Sequence, residues 1–196
     1  MRNIMKKMKK LFQNSKKVFK TRKKLLMSRK NVCTTINERC YNVTEKEESY
    51  MVTVYDVARY ILSCKGSMTT MKLEKLVYYS QAWSLAWDGV PLFDDDFQAW
   101  ANGPVCPALF KSHKGKFIVS EADYTHLGDK DKLGEEAVET INAVLDYYGD
   151  KSPQWLSDLT HQERPWKEAR QGVPTGERSE NIVSKEVMQE YYGGLH

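Results

Sequence analysis

Several features that would mark a familiar class of protein are missing from this sequence of 196 residues. The mean hydropathy is −0.62, and no apolar run approaches the roughly 20 residues that a membrane-spanning helix needs. An integral membrane protein is therefore excluded. P-loops, dinucleotide-binding fingerprints and serine nucleophile elbows are also absent. We therefore expect a protein that is not an enzyme and that needs no metal or cofactor.

The cysteines lack the spacing of a metal site or a disulfide framework. There are four of them, and no pair has the C-x-x-C spacing. The basic start of the chain also lacks the continuous apolar segment of a secretory signal. We therefore predict a cytoplasmic protein with reduced thiols. The four residues are Cys33, Cys40, Cys64 and Cys106.

Acidic residues are absent from residues 1–30, which contain 13 Lys and Arg. Residues 1–50 carry a net charge of +11, whereas residues 51–196 carry −7. An asymmetry of this size indicates two parts with different physical roles. We predict a basic N-terminal extension and linker over residues 1–50, followed by a folded domain over residues 51–196.

Apolar pairs recur every seven residues in the basic extension, which places them on one stripe of a helix. A basic amphipathic helix suits an anionic membrane surface, a nucleic acid or a groove on a partner. A solvated tail is an alternative, as is upstream sequence read in frame with a natural start at Met51. The pairs are Ile4-Met5, Leu11-Phe12, Val18-Phe19 and Leu25-Leu26.

The domain has the pattern of a mainly helical (α+β) fold, a compact helical domain with a small β element. Apolar spacing predicts helices from residue 54, over 71–88 and from residues 107, 135, 153, 165 and 185. Thr53 and Asp56 resemble a capping box, Thr70 is a candidate N-cap, and Gly89 suits a left-handed C-cap. Alternation predicts short strands at 97–100 and 118–119.

Three groups of residues are candidate sites of chemistry. Asp94–Asp96 could hold a cation, but consecutive carboxylates on an extended segment point different ways, which favours a solvated turn. Cys106 with His113 or His161 is a conceivable nucleophile and base, although Cys106 lies in an apolar setting.

His161 and Glu163 form the third group, as a conceivable acid–base pair. Their spacing of two suits a loop more than a helix face. The alternative is structural. In that interpretation His161 caps the preceding helix with Trp166 packed nearby, and Glu163 pairs with a basic neighbour.

Three segments resemble a known family in the same order. They are LEKLVYYSQAW at 73–83, PLFD at 91–94 with AWANGPV at 99–105, and LTHQERPW at 159–166. Together they resemble the Panacea domain, also called the SocA-like or GepA-like antitoxin domain of phage-associated systems, over residues 51–196. The basic segment 1–50 has no counterpart in that family.

The resemblance implies a bacterial or prophage antitoxin that binds a cognate toxin protein directly. One branch of the family delivers its toxin to a AAA+ protease, so masking and delivery both stay open. The family supplies no catalytic residues. Its motif positions are candidates for fold or binding: Leu76, Tyr79, Gln81, Trp83, His161, Glu163 and Trp166.

A second hypothesis is a DNA-binding transcriptional regulator. Residues 1–30 would form its basic arm and contact phosphates weakly, with little sequence preference and a steep dependence on salt. The domain itself, with its charge of −7, suits a basic toxin, because charge complementarity raises association rate and selectivity.

The toxin-docking surface is predicted from aromatic residues out of phase with the core. Tyr78 lies off the apolar face of helix 71–88 by the 3.6-residue period, and Trp100 alternates with Phe97 and Ala99. The turn Asn102-Gly103-Pro104 adds accessible backbone polar groups. We therefore predict an exposed patch of Tyr78, Trp100 and this turn, with burial of Trp100 in the core as the alternative.

Overall fold

The computed structural model describes residues 51–194. The predictions for residues 1–50, including the basic amphipathic helix, Cys33 and Cys40, lie outside the described residues. None of the helices found within 51–194 has the length and apolar character needed to cross a membrane.

The mainly helical prediction is confirmed. Two short 3-10 helices, at Glu121–Tyr124 and Lys130–Lys132, lie between the third and fourth α-helices. The α-helices in the described part of the chain are α1 Val54–Lys65, α2 Thr70–Asp88, α3 Pro107–His113, α4 Glu135–Tyr148, α5 Pro153–Gln162, α6 Arg164–Ala169 and α7 Lys185–Gly193.

The β element consists of two small antiparallel sheets. Strand β2 (Phe97–Trp100) lies between β3 (Gly103–Val105) and β5 (Ile182–Val183). Strand β1 (Met68–Thr69) pairs with β4 (Ile118–Val119). The two-residue connection between β2 and β3 forms a tight turn in which Trp100 faces Gly103 in the register.

The helix ends follow local side-chain chemistry. Thr53 and Asp56 form the predicted capping box, in which each side chain accepts from the other's backbone N–H. Gly89 ends α2 in the left-handed conformation. The N-cap of α2 is Thr69, whose hydroxyl accepts from Lys72 N–H, so the prediction of Thr70 was wrong by one residue.

Helix α2 is the centre of the domain. Every residue from Leu73 to Leu85 is buried, because α1, α4, α5, α7 and strand β3 pack around it. A helix enclosed on all sides has no solvent face. The turn between β2 and β3 packs against the buried residues of its N-terminal half, and this contact positions the candidate site.

Candidate functional site: the β2–β3 turn and the cavity behind it

The β2–β3 turn is held by hydrogen bonds to its carbonyl oxygens. The Trp166 indole Nε1–H of α6 donates to Trp100 O at 3.0 Å. Arg170, directly after α6, donates from Nη1 to Ala99 O at 2.8 Å. Indole and guanidinium groups are rigid donors, so these contacts set the orientation of β2 against α6.

Two further donors hold the other side of the turn. Ser157 Oγ of α5 donates to Asn102 O at 2.9 Å, and Lys75 Nζ of α2 donates to Pro104 O at 2.9 Å. The prediction that this turn exposes its backbone polar groups is therefore wrong for these carbonyls. Helices therefore hold the turn on both sides, and Asn102 is its exposed residue.

Gly103 is the point where the turn approaches α2 and α5 most closely. Its φ of +97° is one that residues with a side chain rarely adopt. A Cβ at this position would lie 2.6 Å from Thr160 Oγ1 and 2.8 Å from Lys75 Cε. The site therefore requires glycine for both backbone conformation and space.

The predicted docking patch is only partly exposed. Trp100 is half-buried and Asn102 is exposed, whereas Gly103 and Pro104 are buried. Tyr78 is 0% exposed, so its prediction as a surface residue was wrong. The helical period of α2 predicts a surface position for Tyr78, but α7 covers the face on which it lies. Tyr192 Oη of α7 donates a hydrogen bond to Tyr78 Oη at 3.4 Å.

The buried carboxyl group of Glu74 lies below the turn. Glu74 Oε1 is 2.9 Å from His113 Nε2, and Glu74 Oε2 accepts from the Cys106 backbone N–H at 2.9 Å. Burial raises the pKa of the Glu74 carboxyl, and the contacts with His113 and Cys106 N–H partly oppose that rise. Both oxygens of this carboxyl are thus engaged within the protein.

Lys75, next to Glu74 in the sequence, is also buried and is 1% exposed. Burial lowers its pKa to about 8, although the adjacent Glu74 favours the charged form. An ammonium group has three N–H donors, and Pro104 O accepts one of them. Lysine is rarely buried without strong pairing, so its position below the turn is unusual.

A cavity of about 380 Å³ opens in front of these residues. The Trp100 and Phe110 rings meet edge to face, 4.7 Å apart between centroids, and form part of its wall. Glu74, Lys75 and His113 also line it. The cavity thus combines an aromatic wall with buried charged groups, an arrangement typical of binding sites.

The segment LTHQERPW at 159–166 reaches the same turn. The His161 ring stacks on Trp166 with 4.2 Å between centroids and hydrogen-bonds to the backbone of Ala101. Burial, with help from Lys75, lowers the His161 pKa. Its Nε2 is buried without a hydrogen-bond partner in the described residues. The segments LEKL, AWANGPV and LTHQERPW therefore meet in space at the turn.

Comparison with known protein families covers the same three segments. A family model described as "Antitoxin SocA-like, Panacea domain" matches residues 73–167, a stretch that contains all three segments. Residues 73–167 thus match the SocA-like Panacea domain. No curated protein and no solved structure matched the chain.

Several motif residues of the Panacea domain lie in its core. Gln81 donates from Nε2 to Phe93 O at 2.8 Å and accepts from Leu92 N–H at 2.7 Å, which ties the PLFD segment to α2. Leu76 is fully buried, and Trp83 is 4% exposed. Hydrogen bonding and burial assign these three positions to the fold.

Glu163 departs from the predicted pairing with a basic neighbour. Its Oε2 accepts from Tyr192 Oη at 2.7 Å and from Tyr79 Oη at 3.0 Å. Burial raises the pKa of this carboxyl to about 8, and the two tyrosine hydrogen bonds partly oppose the rise. A carboxyl group with this pKa is mainly protonated at neutral pH. Because Glu163 hydrogen-bonds to these two tyrosines, it does not form the conceivable acid–base pair with His161.

Of the other candidates for chemistry, Cys106 and His113 lie next to Glu74 below the turn. Asp96 pairs with Lys185, and no group of three potential metal ligands occurs among residues 51–194. Burial raises the pKa of Cys106 to about 12, which leaves the thiol protonated and a poor nucleophile. Sequence reasoning missed Glu74, Lys75 and Arg170. Two adjacent charges inside the apolar segment LEKLVYY were the available signal.

Proposed function

We propose that this protein is the antitoxin of a toxin–antitoxin pair and that it neutralises its toxin by direct binding in the cytoplasm. The family match supports an antitoxin-related role. The observation that carries direct binding is the half-buried Trp100, displayed on a turn that four side chains hold in place. A rigid aromatic side chain loses little conformational freedom on binding and is the residue type most enriched among interface hot spots.

Apolar surface beside the cavity extends the proposed docking surface. Phe117 is 77% and Ile118 is 58% exposed. Phe117 O accepts from Thr70 N–H at 3.0 Å, and Thr70 lines the cavity next to Trp100. The docking surface therefore consists of Trp100, Asn102, Phe117 and Ile118. Exposed apolar groups grouped in this way are typical of protein interfaces.

Substitution of Trp100 tests the proposed surface. We expect Trp100→Ala to weaken toxin binding by at least ~2 kcal/mol, about thirtyfold in affinity, because the truncation removes a hot-spot side chain. Affinity is measured with the toxin encoded next to this gene, and rescue of growth is scored on co-expression. Thermal unfolding of each variant separates loss of binding from loss of fold.

Trp155→Ala is the matched control, because Trp155 is also half-buried but lies on α5, with Lys151 Nζ over its ring. It should retain full rescue. If Trp100→Ala rescues growth as well as Trp155→Ala does, the docking surface is wrong. If no neighbouring gene product is toxic alone and rescued by this chain, the antitoxin function itself is wrong.

Masking and delivery to a AAA+ protease differ in the fate of the toxin. We favour masking, because a hot spot at a fixed surface is sufficient to occlude a toxin. With masking, the amount of toxin in the cell stays constant on co-expression. A protease-dependent fall in toxin would favour delivery instead.

The charge of the first 50 residues motivates a second candidate function, contact with DNA. Residues 1–30 carry 13 Lys and Arg and no acidic residue. We expect a chain that begins at Met51 to lose DNA binding in a gel shift at low salt, because phosphate contacts scale with positive charge. Equal affinity of the full chain and the shortened chain would remove this segment from DNA binding.

A further inference from the structure

The cavity behind Trp100 has properties that the docking surface does not use. Its volume of about 380 Å³ lies at the lower end of the range of roughly 300–1,000 Å³ for small-molecule sites. It is lined by groups from α2, α3 and the β2–β3 turn and by Gly176 and Arg178 from the segment before β5.

One wall of the cavity is apolar and aromatic. Trp100 and Phe110 form an edge-to-face pair, and Met71 and Val105 also contribute to the lining. Aromatic walls of this kind accept a ring or a compact apolar group through stacking and edge contacts. The apolar part of a ligand therefore has a defined place.

The charged residues of the cavity lining offer donors rather than free acceptors. Both oxygens of the Glu74 carboxyl are already engaged, by His113 and by Cys106 N–H. Lys75 uses one N–H on Pro104 O and has two more for which residues 51–194 supply no acceptor at hydrogen-bond distance. Arg178 lies at the mouth, where its guanidinium has donors beyond the one given to Glu180.

We propose that this cavity binds a small molecule with a ring-sized apolar body and one anionic group, a carboxylate or a phosphate. The body packs against Trp100 and Phe110, and the anionic group is directed to Lys75 and Arg178. An anion beside a desolvated ammonium interacts far more strongly than it would in water. The ligand also supplies acceptors for donors that the protein leaves free.

The state of Lys75 supports this assignment. Its pKa is lowered to about 8 by burial, so part of the population is neutral at mildly alkaline pH. A bound anion favours the charged form and raises this pKa. Binding should therefore take up protons near pH 8 to 9.

Calorimetric titration of the full chain with benzoate and with phenyl phosphate tests the proposal. We expect one of the two anions to bind at least about tenfold more tightly than neutral benzamide, because the charge-assisted hydrogen bonds are lost with the neutral compound. The binding enthalpy should depend on the ionisation enthalpy of the buffer at pH 8.5. The comparison of benzoate with phenyl phosphate distinguishes a carboxylate from a phosphate ligand.

Variants at the mouth and floor locate the site. Arg178→Gln, an exposed position that should not disturb folding, is expected to weaken binding of the preferred anion by about fivefold to tenfold. Lys75→Gln should abolish the buffer dependence if the variant folds. Lys72→Gln, a neighbouring lysine outside the cavity lining, is the control and should bind normally.

Three results would overturn the proposal. The first is no binding of either anion up to about 10 mM, which corresponds to less than about 3 kcal/mol of binding free energy. The second is equal affinity for benzamide. The third is an equal loss for Lys72→Gln and Arg178→Gln, which would indicate attraction to surface charge in general. None of these results depends on whether the protein is an antitoxin.

Discussion

Gly103→Ala is expected to lower the free energy of unfolding by about 3 kcal/mol. A non-glycine residue at positive φ costs roughly 1–2 kcal/mol. The new methyl group would also meet Thr160 Oγ1 and Lys75 Cε at 2.6 and 2.8 Å, and overpacking of this kind typically costs 1–3 kcal/mol. Lys75 cannot move away freely, because it is buried and hydrogen-bonded to Pro104 O. Urea unfolding of the full chain measures the change.

Gly115→Ala is the control that separates backbone conformation from packing. Gly115 also has a positive φ, +86°, but a Cβ there meets no atom within 4 Å. This variant should lose only about 1 kcal/mol. Equal losses for the two variants would contradict close packing of the turn against Lys75 and Thr160. A larger loss for Gly103→Ala isolates the contribution of that contact.

Glu163→Gln is expected to remove a large pH dependence of stability. The carboxyl of Glu163 has a pKa of about 8 in the folded protein against an ordinary value of 4.5. Between these values the folded state retains a proton that the unfolded state releases, so stability falls as pH rises through this window. From pH 5 to pH 8 the loss attributable to this residue is on the order of 3 kcal/mol.

Glutamine preserves the shape of Glu163 and an acceptor for Tyr79 and Tyr192, but it cannot ionise. Glu163→Gln should therefore be close to the natural protein in stability at pH 5 and clearly more stable at pH 8. Glu74, whose pKa is also raised, is present in both proteins, so the difference between them reports on Glu163. The measurement is the free energy of unfolding in urea at several pH values.

Glu168→Gln provides the comparison for a surface carboxylate. Glu168 is exposed on α6 and pairs with Arg164, and exposed pairs of this kind contribute little. Its pH profile should follow that of the natural protein. Parallel profiles for Glu163→Gln and the natural protein would mean that Glu163 is ionised in the core, contrary to the effect of burial on its pKa.

Signals that act within a few residues were sufficient to predict the helices and most of their ends. The capping box at Thr53 and the left-handed Gly89 both act locally. The one error at a cap, Thr70 for Thr69, arose because two adjacent threonines have the same capping chemistry. Only the backbone geometry distinguishes them.

The candidate site was predicted in part. Alternation along β2 correctly separated Trp100 from the buried Phe97 and Ala99. Tyr78 failed because helical phase assumes one apolar face, whereas α2 is enclosed by other elements on every side. Partners from 84 to 114 residues away, such as Glu163 and Tyr192, decide its surroundings and those of Tyr79.

The sequence by itself determined the helical class, the capping of the main helices, the charge contrast between residues 1–50 and 51–196, and the resemblance to the Panacea family. Short-range spacing and composition carry that information. Only the tertiary structure decided that Lys75, Ser157, Trp166 and Arg170 meet at one turn, that Glu163 is buried against tyrosines, and that a cavity lies behind Trp100. The reason is physical: burial and hydrogen-bond partners depend on which distant segments pack together, and the spacing of residues along one helix or strand does not contain that information.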